Sequence, residues 1–366
     1  MAEANEEEVE TSEAEAAPEG TSRREFLAYT GATIAAATLT SCSGEAKLNR
    51  DLPTELTAAQ LARRRSGRSQ VSIIKCDSYE QDLWPILKSA LKGARLPDFK
   101  NARVVLKPNM VEYREGSPVT TNPAVLKAAI ELVKHLGASE ITVAEGPGHM
   151  RDTEYLLEVT GLGKVIKDAG VPYVDLNLDD IEAVDNSDGL NELNPFYLPK
   201  TIVKADAVVS VPKLKTHHWV GMTCSMKNLF GTVPGRKYGW PKNMLHIKGI
   251  PHSIIDLQHL VKPKLAVVDA IVAMEGDGPI NGTAKPFGYL VVGEDLAAVD
   301  ATCARMIKLE PNDLPYIKMA GKVVGNIESK DIDLLGPAIA DIAQVFALPI
   351  TMKDKSLLKQ AAEQGS

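Results

Sequence analysis

The sequence predicts an α/β protein with a mostly parallel, Rossmann-like sheet and helices on both of its faces. Short aliphatic and β-branched runs, such as 103–107 and 141–145, alternate with segments whose apolar residues recur at helical spacing. The strand runs are continuously apolar, which is typical of parallel strands covered on both faces. Ligands of such sheets bind at the carboxyl ends of strands, so we expect the functional site there.

Individual elements follow from local patterns. The clearest helix is predicted at 123–136, because Asn122 can cap it, Pro123 suits its first position, and apolar residues recur to its end. Other helices are predicted at 81–93, 154–160, 163–169, 254–260 and 296–307. Strands are predicted at 71–75, 103–107, 141–145, 207–211 and 265–269, with further β-like runs at 173–175 and 289–293.

Composition limits the class of protein. A chain of 366 residues with 44% hydrophobic and 24% charged residues predicts one large or two modest globular domains. Residues 1–42 contain nine Glu and two Arg, so the remaining 39 basic and 39 acidic residues balance and the net charge of −7 belongs to this first segment. A neutral body with 5% aromatic residues argues against nucleic-acid binding.

The first 42 residues are interpreted as a targeting leader. Residues 22–27, Ser-Arg-Arg-Glu-Phe-Leu, resemble a twin-arginine export signal, and the uncharged run 27–41 is too short to span a bilayer. Residues 39–42 resemble a bacterial lipobox, which predicts lipidation of Cys42; cleavage near 35–37 is the alternative. We therefore expect export by the twin-arginine translocase and a periplasmic or cell-surface location with a lipid anchor in the membrane.

The domain prediction follows from this leader. Residues 43–69 are polar and are predicted to be a flexible tether. Residues 70–335 form the α/β domain, in one lobe or two, and residues 336–366 are a C-terminal extension with a polar tail. The three Cys after the leader, Cys76, Cys224 and Cys303, are scattered and form no CxxC motif, so no iron–sulfur cluster is expected from this chain.

A basic segment at 207–255 is the main functional candidate. It has no Asp or Glu but contains seven Lys or Arg and four His. Such a charge excess is met either by carboxylates elsewhere in the fold or by a bound anion. Lys213, Lys215 and His217 follow a predicted strand and supply cations and a proton-transfer group. The alternative is that Lys213 and Lys215 are surface charges and His218 is a packed side chain. If the strand continues, His217 and His218 point to opposite sides.

Several residues outside this strand end complete the candidate set. Lys227 lies in a small, uncharged neighbourhood, where it is either a desolvated nucleophile or anion partner, or a surface residue. His149 lies in a Gly-Pro-Gly loop after a strand. Asp269 ends a strand and is the best carboxylate to pair with the basic segment, whereas Asp300 is equally suited to a bond between helix and loop. Cys224 is interpreted as a buried small hydrophobe.

As a set, five motifs resemble those of domain-of-unknown-function family 362. They are Lys-Pro-Asn at 107–109, Val-Pro-Lys-Leu-Lys-Thr-His at 211–217, Lys-Asn-Leu-Phe-Gly at 227–231, Asp-Ala at 269–270 with Gly-Pro at 278–279, and Ala-Val-Asp-Ala at 298–301. The resemblance covers nearly all of residues 71–335. The family name itself implies no activity.

Residues 217–221 followed by Lys227 also resemble a segment of nickel-pincer lactate racemases, in which a His and a Lys ten residues later approach the cofactor. This resemblance implies that Lys227 is the cofactor tether, that His149 and His217 are the two acid/base groups, and that His246 is a nickel ligand. The tripeptide before the Lys differs, being Cys-Ser-Met at 224–226, and so do the spacing to His246 and the early phosphate motif.

Three functions are therefore considered. The first is an exported enzyme, isomerase- or racemase-like or related to oxidoreductases, that acts on a small anionic molecule with a transition metal or nickel-pincer-like cofactor. The second is a non-catalytic carrier lipoprotein for a metal or anion, and the third a structural lipoprotein whose basic loops contact a partner or anionic lipid. The predicted catalytic residues are His149, His217 and Lys227, the predicted anion-binding residues are Lys107, Asn109, Lys213, Lys215, Asn228 and Asp269, and the predicted metal ligand is His246.

Overall fold

The computed structural model describes residues 56–149 and 151–352. The predicted leader with Cys42, residues 43–55 of the predicted tether, and residues 353–366 lie outside this part of the chain. The strands are β1 Ser69–Lys75, β2 Arg103–Pro108, β3 Glu140–Glu145, β4 Tyr173–Asp175, β5 Ile181–Val184, β6 Phe196–Pro199, β7 Ala207–Val211, β8 Lys213–His217, β9 Gly221–Thr223, β10 Pro263–Glu275, β11 Thr283–Gly293 and β12 Ile332–Leu335.

The α-helices lie between these strands. They are α1 Ala58–Ala62, α2 Leu83–Ala90, α3 Pro123–His135, α4 Thr153–Val159, α5 Leu162–Ala169, α6 Lys200–Val203, α7 Ser225–Asn228, α8 Gly235–Tyr238, α9 Asn243–Ile247, α10 Ile250–Val261, α11 Leu296–Met306, α12 Pro315–Val323 and α13 Ile339–Ile342. Helix α3 begins as predicted, because the side chain of Asn122 accepts a hydrogen bond from the backbone N–H of Ala124 at 2.9 Å and Pro123 takes the first helical position.

The central sheet is mostly parallel, which confirms the predicted fold class. Its strand order is β12-β1-β11-β10-β7-β2-β3-β4, and every pair from β10 to β4 is parallel. Strand β11 runs antiparallel to both of its neighbours. The short hairpin of β5 and β6 forms a separate sheet.

Both faces of the sheet are covered by helices. On β2, Val105 packs into one core with residues of α10, α11 and α12, whereas the adjacent Val104 packs into a second core with residues of α2, α3 and α5. On β7, Val208 packs into the first core and the adjacent Val209 packs into the second. This two-sided burial is the reason that the strand sequences are continuously apolar.

Strand β8 is a polar strand that the sequence pattern did not predict. After Pro212 the chain moves onto the second half of β10, where Lys213 is paired with Asp269 and Lys215 with Met274, and it then forms a hairpin with β9. All five residues of β8 are buried. A strand with buried lysines lacks the apolar pattern from which strands are recognised, so the sequence predicts a strand only at 207–211. Strand β10 correspondingly runs to Glu275 instead of ending at Asp269.

Segments at both ends of the described chain pack against the domain. Within the predicted tether, helix α1 has a buried Gln60 whose side-chain amide donates to the Asp188 carbonyl at 3.0 Å. In the C-terminal extension, Phe346 belongs to the core, and the backbone N–H of Ile350 donates to the Asp277 carboxylate at 2.8 Å. Across residues 56–149 and 151–352, none of the helices is both long enough and apolar enough to cross a bilayer.

Candidate functional site

A cavity of about 250 Å³ lies at the carboxyl ends of β2 and β3, beside the hairpin of β8 and β9. Residues that are far apart in the chain meet here because the carboxyl ends of parallel strands lie at one edge of the sheet, as expected. Eight of the predicted site residues line it: Lys107, Asn109, His149, Lys215, His217, Lys227, Asn228 and His246. Lys213 and Asp269 do not line this cavity.

The floor of the cavity is a buried ion pair between Lys107 and Glu145. The Lys107 ammonium donates to Glu145 Oε2 at 2.5 Å, to Asn228 Oδ1 at 2.7 Å and to the Pro108 carbonyl at 2.8 Å. An ammonium group has three N–H donors, so all of them are used. The Asn228 amide in turn donates to the Lys107 carbonyl and to Ser210 Oγ. Lys107 and Asn228 therefore belong to the scaffold of the site. Neither residue has an unused N–H donor for the predicted anion binding.

Gly231 is required by the close approach of the backbone to this ion pair. A Cβ atom at position 231 would lie 1.9 Å from Glu145 Oε1 and 2.5 Å from Lys107 Nζ. The Gly231 carbonyl also accepts a hydrogen bond from the Gly146 N–H at 2.9 Å, which joins the loop after β3 to the segment after α7. This geometry explains the glycine at the end of the motif at 227–231.

Lys213 and Asp269 form a second buried pair away from the cavity. Their closest N–O distance is 2.5 Å, and Lys213 also donates to the Tyr79 hydroxyl at 2.8 Å and to the Val272 carbonyl at 3.2 Å. Asp269 accepts further bonds from the Tyr79 hydroxyl at 2.7 Å and from the Asn122 N–H at 2.9 Å. The prediction that Asp269 pairs with the basic segment agrees with this contact. The predicted anion binding by these two residues has no support, because each satisfies the other.

Three other lysines of the cavity keep donors available. Lys215 Nζ donates to the Val119 carbonyl at 2.8 Å, and Lys242 Nζ donates to Asn177 Oδ1 at 2.5 Å. Lys227 Nζ lies 3.7 Å from the centroid of the Phe230 ring and has neither a hydrogen bond nor an ion pair with any described residue. When protonated, these three side chains would offer several N–H groups to a ligand.

The pKa values of these lysines are lowered. Burial lowers the pKa of Lys227 to about 7, with a further contribution from the positive charge of Lys107. Burial also lowers the pKa of Lys242 to about 7. For Lys215, burial and the charges of Lys213 and Lys227 hold the pKa well below its ordinary value. A bound anion would reverse this effect, because it favours the charged ammonium form.

The histidines have tautomers set by the backbone. His217 Nδ1 accepts a hydrogen bond from the Trp219 N–H at 3.1 Å, so a neutral His217 carries its proton on Nε2. Nδ1 of His218 lies 2.7 Å from the Gly278 carbonyl, and Nδ1 of His246 lies 3.0 Å from the Lys242 carbonyl. A carbonyl accepts only, so both rings carry the proton on Nδ1 and leave Nε2 as a base. The cavity therefore combines an N–H donor with basic nitrogens.

Burial keeps two of these rings neutral. It holds the pKa of His217 well below its ordinary value, with a contribution from Lys227, and it lowers the pKa of His246 to about 4. His217 and His218 both line the cavity with ring centroids 4.9 Å apart. The condition for opposite orientations, a strand that continues past His217, is not met, because β8 ends at His217 and a turn follows.

Two polar side chains of the cavity are buried without a partner among the described residues. They are Asn109 Oδ1 and Thr223 Oγ1, and each residue is 4% exposed. Buried polar atoms are nearly always hydrogen-bonded, so these two atoms indicate a place for a polar ligand or water. Sequence reasoning included Asn109 but missed Thr223 and Lys242. Thr223 is the cross-strand partner of Lys215, which only the pairing of β8 with β9 reveals.

Asp300 holds the short helix that presents Lys227. Its carboxylate accepts hydrogen bonds from the Ser225 N–H at 2.8 Å, the Met226 N–H at 3.2 Å and the Tyr316 hydroxyl at 3.2 Å, and from the Ser225 hydroxyl. Burial raises the pKa of Asp300 to about 6. This is the helix-to-loop bond considered for Asp300, and it explains how α7 is positioned.

The residues present can be compared with the needs of a metal or metallo-cofactor. Among the described residues, no group of three or more His, Cys, Asp or Glu side chains could hold a metal ion. Lys227 and His246 nevertheless line the same cavity, and His246 Nε2 keeps its lone pair. A metal in this cavity would therefore need most of its donors from a bound group, and Lys227 and His246 are the side chains that could hold such a group.

The fold and the pocket define an α/β protein with a lysine- and histidine-lined cavity at the carboxyl ends of its parallel strands. The chain belongs to the family described as domain of unknown function DUF362, whose profile matches residues 104–305. This confirms the family expected from the motifs. A relative, the thylakoid-associated protein sll1697 of Synechocystis sp. (strain ATCC 27184 / PCC 6803 / Kazusa), is 28% identical over 256 residues, which are 67% of this chain and 76% of that protein.

Solved structures with a similar fold are more distant. The lactate racemase apoprotein from Thermoanaerobacterium thermosaccharolyticum matches with 12% identity and a TM-score of 0.42, over 71% of this chain and 60% of that protein. A protein from Thermotoga maritima matches with 12% identity and a TM-score of 0.38, over 64% of this chain and 61% of its own. This chain thus spans less than two thirds of either protein.

Proposed function

We propose that this protein is an enzyme that binds a small carboxylate-bearing anion in the cavity. It would remove and replace a proton of this anion, as isomerases and racemases do. The observation that carries this proposal is that three lysines in the cavity have N–H donors that no described residue uses. Lys215, Lys227 and Lys242 line the cavity with donors available. Of the two carboxylates that line it, Glu145 is paired with Lys107 and Asp277 accepts a hydrogen bond from the Ile350 N–H, and neither forms an ion pair with these three lysines. Desolvated cations without a paired carboxylate favour binding of an anion.

The neutral groups of the cavity support the same ligand. A carboxylate at Lys215 and Lys227 would accept hydrogen bonds from both ammonium groups, and it would lie near Thr223, whose hydroxyl lacks a partner among the described residues. Charge-assisted hydrogen bonds of this kind contribute about 1.5–3 kcal/mol each. The unpaired Asn109 Oδ1 is an acceptor, so it would accept a hydrogen bond from a hydroxyl group of the ligand.

The proton transfer is assigned to the histidines and Lys227. His217 would donate its Nε2–H to an oxygen that gains negative charge during the reaction, a role suited to a neutral imidazole in a buried site. His149, on the loop after β3, is the proposed second acid/base group, which would take the proton from the carbon next to the carboxylate and return a proton to it. Lys227, with a pKa of about 7, can hold or release a proton near neutral pH.

Exchange of carbon-bound hydrogen tests the catalytic part. The protein is incubated in D₂O with a panel of 2-hydroxy acids, such as lactate and malate, and deuterium at the carbon next to the carboxylate is followed by NMR. We expect exchange with at least one acid, its loss in His217→Gln with binding retained, and no effect of His135→Gln, an exposed histidine outside the cavity. Binding of the panel with neither exchange nor a change of configuration at this carbon in the unmodified protein would instead identify a non-catalytic anion carrier.

The cofactor proposal rests on the motif that His217 and Lys227 share with nickel-pincer racemases. This proposal is an alternative to the free Lys227 amine: Lys227 would be the tether and His246 a ligand, the bound group would supply a metal centre, and Lys215 rather than Lys227 would hold the substrate carboxylate. Intact mass and elemental analysis of protein from its native host test this. A near-stoichiometric transition metal with an adduct on Lys227 is expected; metal-free protein with an unmodified Lys227 would contradict it.

We also propose that the chain is exported and anchored by lipid at Cys42. The twin-arginine-like residues 22–27 and the lipobox-like residues 39–42 support this. The name of the relative, a thylakoid-associated protein, agrees with association with a membrane. The test is the mass of the mature N-terminus together with cell fractionation. Cys42→Ala should release the protein from the membrane fraction, and replacing both Arg23 and Arg24 by Lys should leave it in the cytoplasm.

A further inference from the structure

Lys242 lines the cavity as well. A single carboxylate bound at Lys215 and Lys227 would not need it. It is 2% exposed, and it lies just before α9 with a positive φ of 72°. Positive φ is unfavourable for a residue with a side chain, so the surrounding structure holds Lys242 in this conformation. Its ammonium group is directed to Asn177, which also accepts from the Gly235 N–H at 2.8 Å and donates to the Pro147 carbonyl at 3.1 Å. The amine is thus held by loops from two sides.

Lys215 and Lys242 belong to opposite sides of the sheet edge. Lys215 is on β8 beside β10, whereas Asn177, the partner of Lys242, follows β4. In the strand order β10-β7-β2-β3-β4, strands β2 and β3 lie between these two positions, and the Asn177 side chain reaches back toward β3, where its Oδ1 lies 3.0 Å from the position of a Cβ on Gly146. The two side chains extend from these opposite sides into the same cavity.

The middle of the cavity carries no comparable excess of charge. There the Lys107 ammonium and the Glu145 carboxylate neutralise each other at 2.5 Å. Lys215 has its cross-strand partner Thr223 at its own end, and Lys227 contributes to the pKa lowering of Lys215 and His217. The available positive groups therefore fall into two sets, one with Lys215 and Lys227 and one with Lys242.

From this arrangement we propose that the ligand is a small dianion with its two charged groups at opposite ends, such as a short dicarboxylate. One carboxylate binds at Lys215 and Lys227, where the proposed proton transfer takes place. The other binds at Lys242 and sets the length of the molecule. This inference rests on the proposed anion site and adds the class of its substrate.

Calorimetric titration of the purified protein tests the inference without any variant. The ligands are malonate, succinate and glutarate, the monocarboxylates of equal length, and sulfate as a compact dianion. We expect one dicarboxylate to bind at least about tenfold more tightly than its monocarboxylate and than sulfate, because a second charge-assisted hydrogen bond is made only when both ends are reached.

Variants locate the two ends. Lys242→Met should weaken binding of the best dicarboxylate by about tenfold or more and leave monocarboxylate binding within about threefold, whereas Lys215→Met should weaken both. Lys237→Met is the matched control, since Lys237 is an exposed lysine of the same segment and should change neither. Thermal unfolding of each variant shows whether it is folded.

The outcomes separate the two proposals. If monocarboxylates bind as tightly as every dicarboxylate, or sulfate binds as tightly as the best of them, the two-ended ligand is wrong while the anion site stands. If no anion binds at all, the proposed function fails together with this inference.

Discussion

Lys213 and Lys215 lie two residues apart on the same strand, and both are almost completely buried, yet their surroundings differ. Lys213 has a carboxylate, a hydroxyl and a carbonyl as acceptors, from Asp269, Tyr79 and Val272. Lys215 has one carbonyl acceptor among the described residues, that of Val119. Burial by itself therefore does not distinguish a structural lysine from one that is available to a ligand. The number of N–H donors already used makes that distinction.

The same comparison divides the other lysines of the site. Lys107 uses all three donors on Glu145, Asn228 and Pro108, whereas Lys227 rests on the Phe230 ring and Lys242 contacts Asn177. We expect loss of a saturated lysine or its partner to lower stability, and loss of an available lysine to lower affinity for an anion.

The largest effect is expected at the saturated pair. Asp269→Ala would leave the buried Lys213 ammonium without its carboxylate, which should lower the free energy of unfolding by about 3–5 kcal/mol. Urea denaturation measures this change. Asp168→Ala is the control, since its ion pair with Lys164 is on the surface and should contribute no more than about 1 kcal/mol. Equal losses in the two variants would contradict the structural role of the buried pair.

Gly231→Ala is expected to have the next largest effect. The new methyl group would lie 1.9 Å from Glu145 Oε1, so the Lys107–Glu145 pair would have to shift, at a cost of about 1–3 kcal/mol of stability. Denaturant unfolding of Gly148→Ala gives the comparison, because a Cβ at Gly148 meets its nearest neighbour at 3.7 Å. A stable Gly231→Ala variant with unchanged anion binding would show that the floor of the cavity is not rigid.

Lys227→Met and Lys107→Met should show opposite behaviour. Lys227→Met removes a desolvated amine without an ion pair, so stability should be unchanged or higher, and affinity for the best carboxylate ligand should fall by about 1.5–3 kcal/mol, or roughly 10- to 150-fold. Lys107→Met leaves Glu145 buried without its partner and should lower stability. Calorimetric binding and urea denaturation of both variants test this; similar stability losses would remove the distinction.

Over one pH unit above neutrality, the pH dependence should be the smallest of these effects, at about 1.4 kcal/mol. Lys227 has a pKa of about 7 in the free protein and binds an anion in its protonated form, so affinity should be full below pH 7 and fall by about tenfold per pH unit above it. The stability of the free protein should change in the other direction. The unfolded lysine still holds its proton between pH 7 and about 10.4, so stability rises with pH there. Lys227→Met should make both curves less steep without flattening them, because Lys242 also has a pKa of about 7. Unchanged curves would contradict the lowered pKa of Lys227.

By itself, the sequence determined the α/β class, the position of helix α3 and the strands β2, β3 and β7, because apolar periodicity and capping residues act within a few positions of the chain. It also determined the family and the excess of positive charge at 207–255. The set of residues at the strand ends was predictable as well, since parallel strands present their carboxyl ends at one edge.

Only the tertiary structure decided which lysines of residues 207–255 have all of their N–H donors hydrogen-bonded. The acceptors of Lys213 and Lys215 come from Tyr79, Val119 and Asp269, and they reach these lysines only through the pairing of β8 with β10 and the folding of distant loops. Lys242 and Thr223 were missed for the same reason. Hydrogen bonds between residues far apart in the chain leave no periodic signal in the sequence, so the division between scaffold and site appears only when the chain is folded.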